Sequence, residues 1–194
     1  MVVLNAAPPR SAIARLAALL ALALLMLIAF LDATAAELQA SEYRVKAAFV
    51  YKFGDYVEWP AEAFAGPSAP ITIGVVGADA LADELARISA GRVLAGRPVV
   101  VRKLRHGDSL AGMHVVFIGR AEGRQLATAL DATKGRAALT VTESSEGFRL
   151  GSMVNFVVVA DKVRFDVALR PAEASRLKIS SRLLAVARTV VAPP

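Results

Sequence analysis

The sequence predicts an α/β fold: a single domain with a mixed central β-sheet and helices on both faces. Three observations carry this expectation. Apolar strand-like runs alternate with amphipathic helical segments between residues 71 and 142, the order that builds parallel strands joined by crossover helices. A late pair of strand-like segments is separated only by Ala160-Asp161-Lys162, which makes an antiparallel hairpin and therefore a mixed sheet. No internal repeat and no linker divides the domain.

Taken in order, Ser41 is placed to cap a helix over residues 41–57, in which Val45, Ala48, Phe49, Phe53 and Tyr56 recur at helical spacing and form one apolar face. Pro60 ends it. The loop Gly66-Pro67-Ser68-Ala69-Pro70 leads into a buried strand, Ile71 to Val76. Asp79 then caps a helix carrying Leu81, Leu85 and Ile88 inward, and Gly91 stands where a helix ends. Further strands are expected over 97–103, 114–118 and 138–142, with a helix over 121–132 whose Leu126, Ala129 and Leu130 face the core. In the hairpin of 153–159 and 163–169, Val163, Phe165 and Val167 share one face, and Arg164 and Asp166 the other. Ser180 or Ser181 caps a closing helix with Leu183, Leu184, Ala187 and Val191 inward.

Composition restricts the function classes. Of 194 residues 56% are hydrophobic, which excludes a disordered chain. Part of that excess lies in Leu16 to Leu31, an uncharged run preceded by Arg10 and Arg15 and followed by Ala33-Thr34-Ala35. This is the pattern of a secretory signal peptide over residues 1–36, with cleavage near Ala35 or Ala36, and the domain proper then occupies 37–194. The alternative is an uncleaved anchor, but 16 residues of helix reach only about 24 Å against the ~30 Å of a bilayer core. Beyond residue 36 the balance is 21 basic to 16 acidic residues, which suits anionic partners, although export argues against nucleic acid. The chain contains no cysteine, so it has no disulfide, thiol nucleophile or cysteine-based zinc site.

No stretch carries a catalytic signature. Gly74-Val75-Val76-Gly77-Ala78-Asp79 joins a strand to a helix, but it lacks both the dinucleotide glycine spacing and the Walker lysine, and reads as a tight turn. His106 and His114 have no His or Cys at i+2, i+3 or i+4, and a metal site would need several distant carboxylates to converge, so no metal is expected. Ser144 and Ser145 lie outside any nucleophile elbow. Arg97, Arg102, Lys103 and Arg105 form a basic cluster that reads first as a solvated sheet edge and second as a dock for an acidic partner. Trp59, the only tryptophan, stands between Glu58 and Pro60 as a packing lid or a binding anchor.

Several stretches together resemble the YfiR family of periplasmic regulators: Glu42-Tyr43-Arg44-Val45-Lys46-Ala47-Ala48-Phe49, Val57-Glu58-Trp59-Pro60, Ile71 to Gly77, Gly96-Arg97-Pro98-Val99, His114-Val115-Val116-Phe117-Ile118, Val163-Arg164-Phe165 and Leu177 to Leu184. They occur in the family's order across residues 41–191, and the first two are the specific ones. The resemblance implies a non-enzymatic periplasmic α/β domain without cofactor. It would bind and repress the periplasmic sensor part of an inner-membrane diguanylate cyclase, controlling cyclic-di-GMP signalling and biofilm formation. The alternative is a periplasmic small-molecule sensing domain serving a histidine kinase or transporter. Partner contact is expected at Glu42, Lys46, Glu58 and Trp59, near the surface around the first helix, and a homodimer is a further expectation. Two positions depart from the family pattern: Met113 stands where relatives often carry cysteine, and Ser152 replaces a glycine before Met153.

Overall fold

The computed structural model describes residues 10–120 and 124–192. Its contacts divide the chain at Ser41/Glu42. The N-terminal unit is helical from Arg10 and carries exposed apolar side chains such as Leu19, Leu24 and Met26. Among the described residues, no helix is long and apolar enough to cross a membrane. Residues 1–9 of the expected leader lie outside the described residues, as does the expected helix start at Ala121.

The unit from Glu42 onward is the α/β domain. Its elements are α1 (Arg10–Phe53, entering this unit at Glu42), β1 (Val57–Glu58), β2 (Ile71–Val76), α2 (Asp79–Ser89), β3 (Val93–Leu94), β4 (Arg97–Leu104), β5 (Val115–Ile118) and α3 (Arg124–Asp131). They continue with β6 (Leu139–Thr142), α4 (Ser145–Arg149), β7 (Val154–Val159), β8 (Lys162–Ala168), α5 (Leu169–Ala174), β9 (Lys178–Ile179), α6 (Ser181–Leu184) and β10 (Thr189–Val191). Eight strands form one mixed sheet in the order β10-β8-β7-β6-β5-β2-β4-β3, and β1 pairs with β9 in a separate ribbon. β4, β2, β5, β6 and β7 run parallel, while β8 and β3 are antiparallel to their neighbours β7 and β4. From β2 the chain first moves outward to β4, then returns across β2 to β5 and β6, so the order reverses between β2 and β5.

Strand alternation divides the apolar residues between two cores. Ile71, Ile73, Val75, Val115, Phe117, Leu139 and Val141 face α1 and α2. Val76, Val116 and Ile118 face Leu126 and Leu130 of α3 on the other side. Helices therefore cover both faces, as the sequence predicts. Phe49 and Phe53 stack into the larger core against Phe156 and Phe165, with ring centroids 5.1–6.0 Å apart across the four pairings.

Local details differ from the sequence reading. Ser41 lies inside α1 rather than capping it, and α1 ends at Phe53 because Val57–Glu58 pairs in register with Ile179 and Lys178. The core-facing stripe of α1 is Tyr43, Lys46, Ala47, Val50 and Phe53, while Val45, expected inward, is 43% exposed, and Ala48 is exposed too. Ala78 rather than Asp79 holds the cap position of α2. Asp166 is buried rather than solvated, because Arg188 grips it with Nε–Oδ1 at 2.7 Å and Nη2–Oδ2 at 2.5 Å. The closing helix is only the four residues of α6, capped by Ser180 Oγ; Thr189–Val191 leaves it to pair in parallel with β8, and Val191 is exposed. The β-branched Thr189, Val190 and Val191 favour a strand, and β8 offers an open edge for it.

Candidate functional site

Lys46 sits on the core-facing stripe of α1 at i+3 from Tyr43, and its side chain is 2% exposed. An ammonium there is tolerated only when opposite charge replaces its water. Two carboxylates do so. Glu42, one helical turn earlier, accepts from Nζ through Oε1, and Glu143, the residue following β6, accepts through Oε2 at 2.5 Å. The second Glu143 oxygen accepts the Arg120 backbone N–H at 3.0 Å, and the Arg120 guanidinium lies 3.6 Å from Glu42. Nζ also lies 5.6 Å from the Tyr43 ring centroid and 5.9 Å from that of Phe156. Two carboxylates, one ammonium and one guanidinium thus close a balanced cluster that ties α1 to the carboxyl ends of β5 and β6.

The expectation that Lys46 stays near the surface is corrected here: it is the buried centre of the cluster, and Glu42 is half-buried at its margin. The part of this helix turned to solvent is Arg44, Val45, Ala48 and Lys52, beside half-buried Phe49, which together line a shallow apolar groove flanked by basic side chains.

The other two expected residues lie at the opposite end of the sheet. Glu58 is exposed on β1, opposite Lys178 of β9. Trp59 is half-buried and donates its indole N–H to the His114 carbonyl at 3.1 Å, just before β5. The His114 imidazole is buried, accepts the Thr72 N–H at Nδ1 (3.1 Å) and places Nε2 3.1 Å from the Ala63 carbonyl, which only the Nε2–H tautomer satisfies at both nitrogens. It stacks on Phe64 at 4.5 Å, and Arg97 covers Phe64 at 3.7 Å while donating to the carbonyls of Gly66 and Ala69. Burial pushes the His114 pKa below the ordinary imidazole value of 6.5; Arg97 adds to that, and the Ala63 carbonyl opposes it.

β5 separates the two groups. Its four residues span about 13 Å at roughly 3.3 Å each, so Glu42 with Lys46 and Glu58 with Trp59 are not brought into one cluster. Of the basic cluster, Arg97 is consumed in stapling the loop of residues 59–70, and Lys103 pairs with Asp83 at 2.7 Å. Ser144 serves as the N-cap of α4, accepting from Gly147 N–H at 3.0 Å. Among the described residues, no three His, Cys, Asp or Glu side chains gather as metal ligands do.

The sequence model of the YfiR/HmsC-like family matches residues 43–188, which takes in both clusters apart from Glu42, and every strand but β10. The chain belongs to the YfiR/HmsC-like family. No curated protein matches it. In this YfiR/HmsC-like domain Met113, where the resemblance led to an expectation of cysteine, is buried against β2, and its Sδ lies 2.9 Å from where a Cβ on Gly74 would stand. The thioether thus fills the space that Gly74 leaves empty. Ser152, where the resemblance led to an expectation of glycine, is fully buried and shares a hydrogen bond of 2.7 Å with Thr142 Oγ1, which also donates to Asn155 Oδ1 at 2.9 Å. The serine therefore adds a bond between the carboxyl end of β6 and the turn into β7.

Sequence reasoning missed Glu143, Arg120 and the Asp166–Arg188 pair. A lysine on a helix stripe between Tyr43 and Val50 was the one signal that a distant acid had to exist.

Proposed function

We propose that the protein is a periplasmic regulator, not an enzyme, that binds and restrains the periplasmic sensor part of an inner-membrane diguanylate cyclase, and so limits cyclic-di-GMP output and biofilm formation. The observation that carries this reading is membership of the YfiR/HmsC-like family over residues 43–188. The uncharged run from Leu16 to Leu31 followed by Ala33-Thr34-Ala35 supports export, with a mature start near residues 36 to 37. Of the four residues assigned to partner contact, Glu58 and Glu42 are open to solvent in full or in part and would meet the partner directly. Lys46 and Trp59 would act by holding the elements that carry them.

Deleting the gene and measuring cyclic-di-GMP tests the reading: the level rises, and expression of the intact protein restores it. Glu58→Lys restores it less well at an unchanged melting temperature, since an exposed charge contributes to encounter more than to folding. An unchanged cyclic-di-GMP level after deletion, or a mature chain that retains residues 1–36 in the membrane fraction, overturns it.

A further inference from the structure

A cavity of about 350 Å³ opens on the α3 side of the sheet, between α3 and the loop that follows β4. Its floor is apolar: Val76, the last residue of β2, Leu110 and Ala129. Its rim carries two guanidinium groups, Arg105 and Arg124, and the imidazole of His106. Asp108 is also on the wall, but its carboxylate accepts the Arg105 backbone N–H at 2.8 Å.

The rim is held in place by a backbone device. Gly77, directly after β2, has φ +67°, and a Cβ there would stand 2.9 Å from His106 Nε2. Glycine is therefore required twice, for the left-handed conformation and for the imidazole resting on the turn. Gly119, directly after β5, approaches the same turn so closely that its own Cβ would lie 2.8 Å from the Gly77 carbonyl oxygen. These residues stand at the carboxyl ends of β2 and β5, where the strand order reverses and where open α/β sheets receive ligands. The volume falls at the small end of the range for small-molecule sites.

We propose that this cavity binds a small organic anion: an apolar body of about one ring seated on Val76, Leu110 and Ala129, with a carboxylate turned to Arg105, Arg124 and His106. A guanidinium pair offers a planar fork of donors that a carboxylate matches. The apolar floor adds affinity that a bare inorganic anion cannot gain. The proposal stands apart from the cyclase reading, because it concerns the protein alone.

Titrating the protein with benzoate while following amide chemical shifts tests it. Saturable shifts are expected at Val76, Leu110 and residues 124–132. The double variant Arg105→Ala/Arg124→Ala should weaken binding at least tenfold, with a melting temperature within a degree or two of the parent because both side chains are exposed. Benzyl alcohol, the uncharged counterpart, should bind at least tenfold more weakly than benzoate. Absence of saturable shifts overturns the proposal. So does equal binding of benzyl alcohol, which means an apolar cleft without charge selection, and so does displacement by inorganic phosphate at equal concentration, which means a basic rim without use of the floor.

Discussion

Acidification should loosen the amino end of the sheet through one side chain, His114. Its Nδ1 accepts the Thr72 N–H, so a proton placed on Nδ1 sets two donors against each other 3.1 Å apart and breaks the bond. Burial and Arg97 hold the folded imidazole below its ordinary value of 6.5, the value it regains on unfolding. Below pH 6.5 the unfolded chain therefore binds more protons than the folded one. The stability contributed by neutral His114 is complete above that pH and is lost as pH falls toward the folded pKa. The loss is limited to about 1.4 kcal/mol per pH unit for one proton. Over the unit from pH 6.5 to 5.5 that ceiling corresponds to at most roughly 3–5 °C of melting temperature for a domain of this size. Thermal melts at pH 7.5 and 5.5 measure it, with His114→Asn as the control: the amide oxygen accepts from Thr72 and does not titrate. The parent should lose more of its melting temperature on acidification than the variant, by no more than that ceiling. Trp59, bonded to the His114 carbonyl, should change its fluorescence over the same interval. Equal losses in parent and variant would refute the argument.

Other perturbations separate the two ends of the sheet. Lys46→Met leaves Glu143, whose side chain is 1% exposed, without its buried partner, and should cost about 3–5 kcal/mol by urea unfolding. Adding Glu143→Gln to that variant should recover part of the loss, and strict additivity would show that the pair is not coupled. Trp59→Ala should lower stability by about 3 kcal/mol, the low end for a large aromatic because it is only half-buried, while Trp59→Phe retains most of the packing but not the bond to His114. Gly119→Ala should destabilise by about 1–3 kcal/mol, since the added methyl meets the Gly77 carbonyl rather than a side chain that can move; an unchanged melt would show that the two turns separate freely.

The central strands were legible because their signal is local. Ile71–Val76, Val115–Ile118 and the hairpin of β7 and β8 are apolar runs bounded by turn residues, and each run appears in the sheet within a residue or two of its expected limits. Strands of two or three residues carry no period. β1, β3 and β9 exist only because a partner lies alongside, and Thr189–Val191 follows Leu183, Leu184 and Ala187 at spacings that also suit a helix. The burial of Lys46 was hidden for the same reason: its main partner is 97 residues away, and nothing within a helical turn reveals that Glu143 will meet it. For Trp59 the neighbouring Pro60 and Glu58 marked a helix end, but the acceptor of its N–H lies 55 residues on. Short-range pattern locates these elements, and long-range pairing decides which side chains remain exposed.

The Arg188 clamp on Asp166 bears on the order in which the domain can assemble. β8 lies between β7 and β10, and among the described residues its outer edge pairs only with Thr189, Val190 and Val191. A chain translocated only through Leu184 holds every described helix and the other strands of the large sheet, but β8 still presents a bare row of amides and carbonyls and Asp166 still lacks its counter-ion. A translocating chain at that stage is open to pairing with another chain along that edge. Residues 188–191 convert a sticky intermediate into a closed one, so stop codons placed just before Arg188 should yield aggregation rather than a merely less stable monomer.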